Sequence, residues 1–270
     1  MASGSPKSAS ERREAQREAL RQQRQAELRR QRSVRIIIIA VITVIALALL
    51  SVAGLFIYRA ATADKQPVTM PTGVSEDAPY LTFGAEEGSG APVVDLNLDF
   101  MCPYCGQFDG VNSADIQELV ENDQMTLHLT PRRFLDANST SGDYSTRAAN
   151  ALVCVYEENP DNALAFTTLM YENQPAENSA GLTDDQILEY AKQAGASDEV
   201  SSCMSSKRYW GYVRKAAEPY GADLASSTPY VAIDGTVFED YYTEGAFKQA
   251  VLEAAGSSAS DAGGASDSGR

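Results

Sequence analysis

Two cysteines two residues apart, Cys102-Pro103-Tyr104-Cys105, are the part of this 270-residue chain best suited to chemistry. Such a pair can bind a metal, close a structural bridge, or cycle between dithiol and disulfide, and its surroundings decide which. Ahead of it, residues 93–98 (VVDLNL) alternate apolar and polar side chains as a strand does. Behind it, GQFDGVNSADIQELVEND can run as a helix to about Glu121. Cys102 then sits in the first turn of a helix, where unpaired backbone N–H groups and the positive end of the dipole stabilise a thiolate. A lowered pKa makes that sulfur both the attacking species and a better leaving group. Pro103 suits a helix start because that position needs no N–H donor. Cys105, one turn on, faces inward and can resolve a mixed disulfide by attacking Cys102.

The other cysteines, Cys154 and Cys203, fall on separate expected helices, and four cysteines permit three pairings. A bridge between 102 and 105 closes a ring too small to restrain the unfolded chain, which favours a redox use. A bridge between 154 and 203 closes a loop of about 50 residues, worth on the order of 4 kcal/mol in the chain-entropy model, and reads as a structural staple. Four thiolates around a zinc would need two close pairs, and the second pair here is 49 apart, so no metal site is assigned.

Charge divides the chain. Residues 1–35 hold ten basic side chains and four acidic ones, whereas residues 60–270 hold 11 basic and 33 acidic ones; with Arg59 these sum to the net −15. The acidic part would repel a polyanion, so nucleic acid is excluded as its partner. Between the two lies an uncharged run of 23 residues, 36–58, long enough as a helix (about 34 Å) to cross a hydrocarbon core of roughly 30 Å. The basic flank ahead of it places the N-terminus in the cytoplasm and the rest of the chain outside a single-pass anchor. A cleaved signal peptide is the rival, since Ala61-Thr62-Ala63 has the form that signal peptidases cut, but 23 apolar residues after a 35-residue flank exceed signal-peptide proportions.

The expected organisation is a basic cytoplasmic segment (1–35), a transmembrane helix (36–58), a polar linker with Pro67 and Pro71 (59–79), one α/β domain (80–255), and a disordered Gly/Ser/Ala tail (256–270). Within the domain, residues 125–130 (MTLHLT) read as a second strand. Residues of about 143–220 read as helices, one of them capped by Thr183 and the last spanning 198–221. Residues 230–238 read as a hairpin turning at Asp234-Gly235, and 244–255 as a final helix. His128, the one histidine, reads as a packed strand residue, and Tyr209, Trp210 and Tyr212 as core. Asp99 shares parity with Asp95 and Asn97 and is expected at the surface.

Residues 99–105 (DFMCPYC) at a strand end, the helical block, and residues 227–235 (STPYVAIDG) ahead of a hairpin and last helix, in that order, resemble the DsbA-like branch of the thioredoxin superfamily. The likeness is greatest to the membrane-anchored forms of actinobacteria and other Gram-positive bacteria. It implies a thioredoxin fold with an inserted all-helical subdomain, a redox centre at Cys102 and Cys105, and a cis-proline at Pro229. Thr228 would pair with an extended substrate peptide. A cysteine pair in the helical block, as at Cys154 and Cys203, also resembles actinobacterial members. The strongly oxidising members carry His where Tyr104 stands, so Tyr104 and Pro103 are read as tuning residues. Thioredoxins keep a buried acid six residues before the first cysteine, where this chain has Leu96.

The expected function is a membrane-tethered extracytoplasmic thiol-disulfide oxidoreductase that donates its disulfide to reduced exported proteins. It would need no cofactor and would be recharged by a quinone-linked thiol oxidase in the membrane. The alternatives are a reductase or isomerase, and a binding or chaperone module with a structural CxxC.

Overall fold

The computed structural model describes residues 38–55, 57 and 67–264. The basic segment 1–35, the start of the linker (59–66) and the end of the tail (265–270) lie outside the described residues. The chain divides into two units at residues 65 and 66. In the first, helix α1 (Ile38–Leu55) has a mean hydropathy of 2.8 and is long and apolar enough to cross a membrane; no other described helix is.

The second unit holds a five-stranded sheet in the order β1-β3-β2-β4-β5, formed by β1 (Leu81–Gly84), β2 (Val93–Leu98), β3 (Thr126–Pro131), β4 (Tyr230–Ile233) and β5 (Thr236–Val237). β2 and β3 run parallel, joined by α2 (Pro103–Glu121), and the other neighbours pair antiparallel. Between β3 and β4 the chain inserts α3 (Tyr144–Glu158), α4 (Pro160–Glu172), α5 (Asp184–Gln193), α6 (Val200–Ser205), α7 (Trp210–Tyr212) and α8 (Glu218–Leu224). α9 (Ala246–Gly264) closes the unit. This is a thioredoxin fold with the helical block set between its two halves, as the sequence leads one to expect.

One sheet face buries Leu96, Leu98 and Leu129 against α2 and α4, with Phe108, Ile116 and Leu119 supplied by α2. At roughly 1.5–3 kcal/mol for each large apolar side chain buried, this face holds α2, and so Cys102, against the sheet. The β4–β5 turn uses Asp234 (φ 47°) and Gly235 (φ 75°), the paired positive dihedrals of a two-residue hairpin. Asp234 also accepts from the Val93 N–H at 2.8 Å, which ties the hairpin to β2. Thr183 caps α5 reciprocally with Gln186.

Three elements differ from expectation. β1 lies outside the expected strands; it is four residues long and follows a proline-containing polar stretch. The helix expected over 198–221 is broken, with Lys207 at φ 57° and a π-turn at Val213–Ala217 ahead of α8. Pro219 causes the second break, because it has no N–H for the residue four before it. α9 continues to Gly264, past the expected start of the tail at 256, on alanines and serines that tolerate a helix.

The opposite sheet face is polar and covered. His128 lies between two carboxylates, Asp95 (Nδ1, 3.2 Å) and Glu87 (Nε2, 2.6 Å), with Tyr80 stacked on its ring at 3.9 Å. Burial alone would lower the imidazole pKa, but the two carboxylates outweigh it and raise the value above 6.5. A group held above its unfolded pKa adds stability that is complete below about pH 6.5 and is lost as pH rises through the folded value. Thermal midpoints therefore fall from pH 6.5 upward, and His128→Phe flattens that slope. An unchanged slope in the variant would place the dependence elsewhere.

Candidate active site

Cys102 is the N-cap residue of α2 and Pro103 opens the helix. Its thiol donates to the Thr228 carbonyl at 3.3 Å, which brings the strand-end loop against the loop before β4. The Thr228–Pro229 peptide bond is cis. The fold thus gathers Cys102, Pro103, Tyr104, Cys105, Thr228 and Pro229 at one end of the sheet.

The two sulfurs have opposite character. Cys102 is 4% exposed and Cys105 is fully buried. The Cys105 thiol hydrogen-bonds the Cys102 sulfur and, although burial opposes ionisation, wins together with Thr228 and the N–H groups of Cys105 and Tyr104 to lower the Cys102 pKa to about 6. The Thr228 hydroxyl is buried with no other partner, a donor free for the thiolate. At pH 7 a thiol of pKa 6 is about 90% ionised, against ~3% for an ordinary cysteine. Burial, then the hydrogen bond to the Cys102 sulfur and the charge there, push Cys105 well above its usual value. The arrangement can hold one thiolate as nucleophile and leaving group beside one neutral thiol. Brief iodoacetamide treatment of the reduced chain at pH 7 marks Cys102 well before Cys105 by mass spectrometry; equal rates would contradict this asymmetry.

Asp99, expected at the surface, is fully buried. The parity argument fails because Leu98 ends β2 and both sheet faces are covered there: Asn97, of the same parity, is also buried and donates to the Gly221 carbonyl of α8 at 3.2 Å. The Asp99 carboxylate accepts from the N–H groups of Met101 (2.8 Å) and Leu135 (2.8 Å) and from the Ser145 hydroxyl (2.7 Å). Burial still pushes its pKa up to about 7. These bonds shape the loop that leads into Cys102.

Gln174, just past α4, has a similar office. Its Nε2 donates to the carbonyls of Phe100 (3.1 Å) and Cys102 (2.8 Å), so the helical block holds the cysteine loop directly. Nothing in its sequence context marks it. Cys154 and Cys203 are bonded to one another, joining α3 to α6 away from this loop.

Tyr104 is 61% exposed, and the Tyr242 hydroxyl donates to its carbonyl at 3.4 Å. A histidine at 104 could offer a charge-assisted hydrogen bond to the Cys102 thiolate, favour the reduced form and make the disulfide more oxidising. Such a bond is worth roughly 1.5–3 kcal/mol, or some 30–65 mV for two electrons. Solvent screening at this exposed position sets the expected rise for Tyr104→His at the lower end, about 30 mV. Equilibration with glutathione measures it; an unchanged or lower potential would show that position 104 does not tune Cys102.

The family model described as Thioredoxin matches residues 82–253. Among solved structures, the reduced disulfide bond oxidoreductase DsbG of Mycobacterium tuberculosis is 27% identical with a TM-score of 0.55, over 66% of this chain and 88% of that one. Reduced DsbA of the same organism is 26% identical with a TM-score of 0.55, over 68% and 99%. The serine/threonine-protein kinase PknE of M. tuberculosis is 32% identical over 156 residues, 55% of this chain; the match spans only 27% of the kinase's own length. The chain belongs to the thioredoxin family, and in fold and sequence it is similar to the DsbA-type thiol-disulfide oxidoreductases of actinobacteria.

Proposed function

We propose that this protein is a membrane-tethered, extracytoplasmic thiol-disulfide oxidoreductase that passes a Cys102–Cys105 disulfide to reduced cysteines of exported proteins. The supporting observation is the pairing of an acidified N-cap thiol, Cys102, with a buried, protonated Cys105. A substrate thiolate attacks Cys102, the 102–105 bond breaks, and Cys105 leaves and takes a proton. A second substrate thiolate then attacks the substrate sulfur of the mixed disulfide, forming the substrate's bond and releasing Cys102 as a stabilised thiolate. A low Cys102 pKa favours this last step, and so favours donation over reduction.

The Thr228–Pro229 loop, 3.3 Å from Cys102, would present its backbone to an extended substrate segment. α1 and the basic segment before it would keep the domain at the outer face of the membrane, where disulfides persist and a membrane quinone-linked oxidase could recharge it. The test is refolding of a reduced, denatured disulfide protein. The oxidised full-length chain in detergent speeds recovery and is itself reduced in equal measure. Recovery at the rate of glutathione buffer alone would refute the proposal.

A further inference from the structure

Cys105 must lose and regain a proton in every exchange, yet it is fully buried and bulk water does not reach it. Among the described residues, one carboxylate on the same helix is likewise buried. Asp109 lies four residues further along α2, on the same face and one turn below Cys105. It is 5% exposed. Unlike Asp99, whose carboxylate is held by three donors, Asp109 makes no hydrogen bond through its side chain. A buried carboxylate left so is costly for stability and calls for another use.

Its surroundings supply one. Asp109 opens on a cleft of about 10 Å³ between α2, α4 and the sheet, room for about one water. The sheet wall is apolar, formed by Leu96, Leu98 and Leu129, and offers no rival proton acceptor. On the outer side the cleft reaches the partly exposed Ser113, Gln117 and Thr168, a polar route to solvent. The titratable groups around Asp109 are Cys105 on its own helix and, from α4, Glu172 and Tyr171, whose buried hydroxyl has no hydrogen-bond partner and which interacts with Cys105, Asp109 and Asp99.

We infer that Asp109, one turn below Cys105 on the same face of α2, is the proton-exchange group for Cys105 and renews its own proton through the cleft on the Ser113–Gln117–Thr168 side. When a substrate thiolate bonds to Cys102 and breaks the 102–105 disulfide, the departing Cys105 sulfur receives the proton of neutral Asp109. In the reverse step Asp109 carboxylate takes the Cys105 proton, the thiolate attacks Cys102, and the substrate sulfur leaves. Burial, and then the charge of Glu172, raise the Asp109 pKa to about 7, so both forms are available near neutrality. The inference rests on the proposed exchange activity.

The test follows exchange between the oxidised full-length chain in detergent and a reduced cysteine peptide from pH 5 to 9, for wild type and Asp109→Asn. Asn keeps the shape but carries no proton, so the rate falls about 10²-fold and the inflection near pH 7 disappears, while Asp109→Glu keeps the inflection. Iodoacetamide labelling of Cys102 is unchanged. Thermal stability at pH 8 holds or rises, because a group raised to about 7 costs stability above that pH, whereas a purely structural Asp109 predicts a loss. Wild-type exchange with an Asn variant within twofold and the same inflection would overturn the inference alone; a wild type without exchange would overturn the function and the inference together.

Discussion

Incubated with a disulfide-containing substrate, a chain carrying Cys105→Ala accumulates as a mixed disulfide, whereas Cys102→Ala accumulates none and exchanges at the uncatalysed background. The asymmetry follows from burial and ionisation. Cys102, with a pKa of about 6, attacks as the thiolate and expels one substrate sulfur, and Cys105 is the neighbouring thiol that can displace the other. Without Cys105 the complex has no internal attacker and persists until an outside thiol arrives. Non-reducing gel electrophoresis with mass spectrometry reads the trapped species. Trapping by Cys102→Ala instead would reverse the assignment of the two sulfurs.

Removing the other pair has a large effect of a different kind. Cys154→Ala with Cys203→Ala costs about 4 kcal/mol, from the loop of 49 residues that the bond closes. For a domain of this size that lowers the thermal midpoint on the order of 10 °C. The bond joins α3 to α6 within the helical block and touches neither sulfur of the CxxC, so disulfide exchange below the new midpoint continues at the wild-type rate. Loss of exchange in a natively folded double variant would make this pair a second redox relay.

Local and covalent features of the fold were legible in the sequence. β2, the CxxC and the start of α2 announce themselves by alternation and a proline at the first helical position. The hairpin is marked by Asp234-Gly235, and α5 by Thr183 with Gln186. What escaped depends on tertiary surroundings. Parity puts Asp99 outside only if one sheet face meets water, and α8 covers that face beside Asn97. Pro219 was visible, but its break appears as a π-turn before it, not as a helix end. Gln174 bridges elements more than 70 residues apart, and no local pattern encodes that. Asp109 reads as an ordinary polar helix residue until α4 closes over it.

The most direct test of the central claim is the reduction potential of the Cys102–Cys105 couple, measured by equilibrating the full-length chain with glutathione buffers and counting alkylated cysteines by mass. A Cys102 thiolate at pKa about 6 stabilises the reduced form more than an active-site cysteine of pKa about 7 does, and less than one near 3.5. A disulfide donor of this build has a potential of about −200 mV, more oxidising than about −230 mV, with the 154–203 bond still intact in those buffers. A value at or below about −270 mV, where the pair would be held reduced and would give up electrons, would contradict it.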